Sequence, residues 1–192
     1  GYRAMTPATL KFAFIGSHGV GKTTLCYGLA ARLKRRDVAL EIVHEVARRC
    51  PLPINSGTTA EAQRWILHTQ IAEEILASAR YPVVLCDRSV LDNYVYFLLA
   101  AGSDPALDRL VSDWLAGYDL LIQVPILEAP RADGIRAADP NFQRAVDLRL
   151  RAEVAARGIA TLDLEAARSA DWLEEVEAHA LRRLRPAQPE LL

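Results

Sequence analysis

The 192-residue sequence has little sulfur, almost no net charge and no long apolar run. Its three cysteines, Cys26, Cys50 and Cys86, lie in or beside apolar segments at no metal-like spacing. An odd number in that arrangement argues against a disulfide scaffold or a zinc knuckle and predicts a reduced, cytoplasmic protein. Lys and Arg total 23 against 24 Asp and Glu, a formal net charge of -1. No overall field is left to hold a polyanion or an acidic membrane face, so nucleic acid is not an expected partner and any phosphate site must be local. No apolar stretch approaches the roughly 18 residues of a membrane span, and no signal peptide is apparent. Internal repeats and low-complexity tracts are missing too. Gly1 to Ala4 stand ahead of Met5 and are expected to be a cloning remnant, while Pro186 to Leu192 is expected to be a frayed tail. A single domain over residues 5–185 is predicted.

A 51% hydrophobic content is ample for one continuous core. Short apolar runs alternate with segments of helical period. Strands are predicted at 11–15, 39–44, 83–86 ("VVLC"), 119–124 ("DLLIQV") and 158–164 ("GIATLDL"). Helices are predicted from Lys22, over Thr59 to Ala79 with Thr58 or Thr59 as cap, around Val90 to Ala100, over Pro105 to Ala116, from Pro140 to Arg157, and over Ala170 to Leu184. A long loop is expected after the second strand, where Pro51 and Pro53 follow Arg48 and Arg49. Alternating strands and helices make an α/β fold with a mostly parallel sheet, and "VVLC", lacking polar alternation, suits a sheet covered on both faces. Such sheets bind ligands at the carboxyl ends of their strands.

One of those ends reads "FIGSHGVGKTTLCYGLA", Phe14 to Ala30. Gly16-Ser17-His18-Gly19-Val20-Gly21-Lys22-Thr23 fits G-x-x-x-x-G-K-[ST] between a strand and a helix. The glycines let successive backbone N–H groups turn inward around a phosphate. Lys22 is expected to reach the β and γ phosphates, and Thr23 to offer its hydroxyl to Mg²⁺. Residues Gly16 to Thr23, with Thr24 after them, are the predicted nucleotide contacts. Other P-loop signatures are absent: no Asp-x-x-Gly switch, no Asn-Lys-x-Asp guanine clamp, no Leu-Ser-Gly-Gly string. The third strand ends instead in Cys86-Asp87-Arg88-Ser89.

"GSHGVGKTT", "HEVAR" after the second strand, "DRS" after the third and an arginine-bearing segment after the fourth resemble, in that order, the P-loop kinases of small molecules. The resemblance is to deoxynucleoside, thymidylate and ribosylnicotinamide kinases, and to the AAA-labelled ATPase domains similar to them. It runs from Phe12 to about Leu184 and implies a three-layer α/β/α P-loop NTPase fold, its five parallel strands in the order 2-3-1-4-5. It further implies an ATP- and Mg²⁺-dependent kinase acting on a nucleoside, nucleotide or related metabolite.

Residue roles follow from the resemblance. Glu45 matches a glutamate that faces the acceptor hydroxyl as base. Asp87-Arg88-Ser89 stands where deoxynucleoside kinases carry Glu-Arg-Ser, a change of acid that keeps the charge. Asp87 is thereby expected to hold Mg²⁺ with Thr23, and Arg88 to touch phosphate and orient Glu45. A lid is implied at about 126–142, with Arg131 and Arg136 meeting the transferring phosphate. Gln63, Trp65 and Gln70 on the helix after Thr59 are candidate acceptor contacts, as are Tyr94, Asn93 and Asp92 just past Asp87-Arg88-Ser89. Capping or packing roles stay open for all of these, and His44 and His68 read as structural. The implied partners are a nucleotide and a small-molecule acceptor, and a homodimer is compatible with the sequence. A regulatory P-loop ATPase acting on a protein partner is the first alternative, and a polynucleotide 5′-kinase the second.

Overall fold

The computed structural model describes residues 9–54, 57–127 and 139–184. Five parallel strands form one sheet in the order β2-β3-β1-β4-β5: β1 Leu10–Ile15, β2 Leu40–Val43, β3 Val83–Cys86, β4 Leu120–Gln123 and β5 Leu162–Asp163. The helices are α1 Lys22–Lys34, α2 Ala60–Ser78, α3 Val90–Ala101, α4 Pro105–Leu115, α5 Pro140–Ala156 and α6 Trp172–Leu184.

Alternation along β1 sorts the helices into two layers. Phe12 and Phe14 point into a core shared with α1 and α6, whereas Ala13 and Ile15 point into one shared with α2, α3, α4 and α5. Burial on both sides explains why β3 reads as a continuous apolar run and β1 as one interrupted only by Lys11. The order 2-3-1-4-5 implied by the resemblance is the order found. Because β3 lies between β2 and β1, the segments leaving these three strands emerge side by side.

Two local expectations need correction. The loop after β2 opens with a turn of 3-10 helix, Val46–Arg49, because Val46 and Ala47 bury against Ile66 and Trp65 of α2. The fifth strand is two residues long where seven were expected. Gly158, at φ 62, turns the chain sharply out of α5, and only Leu162 and Asp163 pair with β4 at the sheet edge.

Candidate active site

The phosphate loop leaves β1 under tight constraint. Gly16 has φ 154, and a Cβ there would stand 2.6 Å from the Val124 carbonyl oxygen, so no larger residue fits. Gly21, at φ 95, caps α1 in the left-handed region and starts the helix at Lys22. Backbone N–H groups turned this way, at a helix N-terminus, make an anion-binding concavity.

Lys22 is buried at the centre of this loop. Its ammonium donates to the Gly16 carbonyl and lies 3.6 Å from Asp92 Oδ1. Burial pulls its pKa down to about 8, with Asp92 the largest opposing influence. Asp92 is itself occupied. Oδ1 accepts the Gly16 N–H at 3.0 Å, and Oδ2 accepts the Ser89 N–H at 2.8 Å, closing a capping box on α3. Lys22 is therefore a cation whose nearest carboxylate is shared, which leaves it open to a phosphate.

Thr23, one residue on, donates its hydroxyl to Asp87 Oδ2 at 2.7 Å. Asp87 follows β3 and its backbone N–H is fixed on the Val43 carbonyl at 3.0 Å. Its other oxygen, Oδ1, is buried without a partner among the described residues. Burial pushes this carboxyl up, against the Thr23 hydroxyl and Lys22, which hold it down. A hydroxyl, a carboxylate and an unused buried carboxylate oxygen fit Mg²⁺, which takes one or two protein oxygens and completes its octahedron with water and phosphate. No set of three or more His, Cys, Asp or Glu side chains gathers among the described residues as a metal cage.

Beside Asp87, Arg88 Nη2 pairs with Glu45 Oε1 at 3.0 Å. The Arg88 guanidinium also lies over the Tyr96 ring, 5.0 Å from its centroid. Tyr96 hydrogen-bonds His18 Nδ1 at 2.9 Å, and the His18 ring stacks on Phe142 at 5.6 Å. Burial lowers the His18 pKa, with Arg88 and Lys22 adding to the effect, which favours the neutral imidazole. The first turn of α5 is fastened to the loop as well. Gln143 Nε2 donates to the His18 carbonyl at 2.8 Å, and Ser17 Oγ donates to the Gln143 carbonyl at 2.8 Å.

The structure thus gathers Gly16, Ser17, His18, Lys22, Thr23, Glu45, Asp87 and Arg88 at one end of the sheet. Gly19 and Thr24 are exposed beside them, and Val20 is buried in the core against Leu25 and Val124. Other expectations come out differently. Tyr94 is a core residue, stacked on Phe97 at 6.1 Å with its hydroxyl 3.4 Å from the Asp104 carbonyl. On a helix Asp92 and Tyr96 share a face that Tyr94, two residues from each, cannot join. Gln70 is fully buried and donates to Glu74 at 2.8 Å and to the Arg88 carbonyl at 2.9 Å, so its amide nitrogen reads this chain and not a ligand. Gln63 donates to Thr58 at 2.9 Å. Trp65 packs against the 3-10 turn that follows Glu45. Arg131, Arg136 and residues 128–138 of the expected lid lie outside the described residues. Sequence reasoning offered Asp92 as an acceptor contact, where the structure has it accepting the Gly16 N–H and capping α3, and it overlooked Tyr96, Phe142 and Gln143. The Ser89-x-x-Asp92 capping pattern was the one signal available for Asp92.

A family model described as an AAA domain matches residues 11–174. No curated protein matches the chain in sequence. Among solved structures the chain is similar to a thymidylate kinase from Ehrlichia chaffeensis, at 14% identity and TM-score 0.65, over 93% of this chain and 100% of that one. It is also similar to a deoxyadenosine kinase from M. mycoides, solved with dCMP and dCDP, at 14% identity and TM-score 0.60, over 92% of this chain and 100% of that one. A third similar structure is NadR in complex with NAD and AMP-PNP, at 15% identity and TM-score 0.67, over 96% of this chain and 52% of NadR. At such identities the likeness is one of fold.

Proposed function

The chain belongs to the AAA domain family, and on that premise we propose that it is a kinase, transferring the γ-phosphoryl group of ATP to a nucleoside, nucleotide or related small metabolite. The observation that carries this reading is the Glu45–Arg88 pair at 3.0 Å beside the phosphate loop. A nucleotide-binding switch has no need of a carboxylate held there. A kinase does, to receive the proton of an acceptor hydroxyl. The similar folds of thymidylate kinase, deoxyadenosine kinase and NadR support it too.

Each residue then has a task. The Gly16–Thr23 backbone cradles the β and γ phosphates, and the Lys22 ammonium offsets their charge. Thr23 and Asp87 would hold Mg²⁺, which when bound draws negative charge off the phosphates. Arg88 fixes the Glu45 carboxylate toward the acceptor and adds positive charge to the site. Arg131 and Arg136, which lie outside the described residues, are proposed to meet the transferring phosphoryl group.

Glu45→Gln tests the reading, because the amide keeps the size of the side chain and loses its proton-accepting charge. ATP affinity by calorimetry should be retained, while acceptor-dependent ADP release falls by about a hundredfold. The acceptors to try are nucleosides, nucleotides and nicotinamide riboside, each with ATP and Mg²⁺. Should none accelerate ADP release by the wild type, and should Glu45→Gln leave basal hydrolysis untouched, the regulatory module replaces the kinase.

A further inference from the structure

A buried polar hub stands behind the turn that carries Asp87 and Arg88. Glu74 of α2 has no exposed surface, yet both its oxygens are fully used. Oε1 accepts from Lys11 Nζ at 2.9 Å and from Trp114 Nε1 at 2.9 Å. Oε2 accepts from Gln70 Nε2 at 2.8 Å and from the Tyr118 hydroxyl at 2.7 Å. The two donors on Oε2 continue to the turn. Gln70 Nε2 also donates to the Arg88 carbonyl at 2.9 Å, and the Tyr118 oxygen accepts the Val90 N–H at 3.1 Å.

Val90 is the first residue of α3, and no carbonyl of its own helix can reach its N–H. Ser89 Oγ caps the N–H groups of Leu91 and Asp92. Tyr118 supplies the acceptor for Val90 from outside the helix. One carboxylate oxygen thus holds the turn at two points, each through one intermediary. Burying a carboxylate with its lysine is costly, and apolar side chains of similar volume would pack α2 on the sheet as well or better. The hub needs a reason beyond packing, and the Asp87–Val90 turn is what its two arms touch.

We infer that Glu74 is a positioning residue: through Gln70 and Tyr118 it fixes the Asp87–Val90 turn, and with it the Asp87 carboxylate and the Arg88 guanidinium that pairs with Glu45. The consequence for turnover rests on the kinase reading; the consequence for the turn does not. Small displacements of positioned groups can cost up to about a hundredfold in rate even when the altered residue is remote from the chemistry.

Gln70→Leu removes one arm and leaves the other three donors on Glu74. Tyr118→Phe removes the other arm and keeps the ring beside Lys11. In each variant amide exchange over residues 87–92 should quicken by about tenfold while β4 keeps its protection. Acceptor-dependent turnover should fall by roughly ten- to a hundredfold at a temperature where both variants remain folded. ATP affinity without Mg²⁺ should hold, and the gain in affinity on adding Mg²⁺ should shrink. Glu74→Gln puts a donor where an oxygen served two donors, and should exceed both; if it does not fold, the two single variants decide. Unchanged exchange over 87–92 in both variants would overturn the inference. So would faster exchange with unaltered turnover and an unaltered Mg²⁺ gain. If the wild type phosphorylates no acceptor, the kinase reading fails, and the exchange and Mg²⁺ measurements still decide the role of Glu74.

Discussion

Two lysines serve the two ends of β1, and both are buried, but their surroundings differ. Lys11, in the strand, meets the Glu74 carboxylate at 2.9 Å and lies 4.4 Å and 4.6 Å from the ring centroids of Trp114 and Tyr118. Lys22, after the strand, donates to the Gly16 carbonyl, and its nearest carboxylate oxygen, on Asp92, is 3.6 Å away and already accepts the Gly16 N–H. The first lysine has a carboxylate oxygen at contact distance and two aromatic faces around it. The second has a backbone carbonyl and half of a carboxylate. A buried charge that is fully matched is a piece of framework; one that is left partly matched is a place for an ion of the other sign.

The two carboxylates nearby repeat the contrast. Glu74 uses both oxygens twice, while Asp87 keeps Oδ1 buried and without a partner among the described residues. For these two carboxylates, framework and candidate binding site differ in whether the carboxylate oxygens are satisfied.

Removing each lysine should separate the two roles most sharply. Lys11→Met strands the Glu74 carboxylate in the core, and breaking a buried pair in this way costs about 3–5 kcal/mol. Urea unfolding should register that loss, with ATP affinity retained under conditions where the variant is folded. A loss below about 1 kcal/mol would mean that Lys11 is no framework charge, since that is the range of exposed pairs. Lys22→Met should do the reverse. An apolar side chain in a buried site that never fully matched the ammonium leaves stability unchanged or raises it, while turnover falls by roughly 10²- to 10³-fold, the usual loss for a preorganised charge donor. A variant that binds and turns over ATP like the wild type would remove the phosphate-loop reading.

The same contrast explains what could be read from the sequence. The phosphate loop was legible because its chemistry is local: glycines, lysine and threonine at fixed spacing between a strand and a helix. The fold followed from alternating elements, and the strand order from the resemblance. The Glu74 hub was invisible, since its members lie at positions 11, 70, 74, 114 and 118 and no spacing rule joins them. Gln70 shows the cost. The resemblance made it a candidate acceptor contact, whereas in the fold its amide spans from Glu74 to the Arg88 carbonyl. Tyr94 and Tyr96 show it again. Both follow the Asp87-Arg88-Ser89 turn closely, and only helix phase decides that Tyr96 faces Arg88 while Tyr94 faces the core.

The smallest effect expected is a pH dependence peculiar to Lys22. In the free protein its ammonium has a pKa of about 8, against 10.5 for an ordinary lysine, because burial outweighs the help of Asp92. Bound phosphate favours the charged form, so the pKa of the complex lies higher. Below pH 8 the ammonium is already charged, and its contribution to ATP affinity is fully present. Above that, binding must take up a proton, and affinity falls, approaching about tenfold per pH unit at its steepest until the complex deprotonates too. Stability of the free protein moves the other way. Between about 8 and 10.5 the unfolded chain holds a proton on this lysine that the folded chain has lost, so the contribution of Lys22 to stability rises with pH across that window. Tyrosines and cysteines titrate in the same range, and Lys22→Met subtracts them. Calorimetry with ATP and urea unfolding, each from pH 7 to 9.5 for wild type and Lys22→Met, should therefore show two differences of opposite sign. If the two proteins follow the same pH course in both measurements, Lys22 is matched as fully as Lys11, and the distinction drawn between them fails.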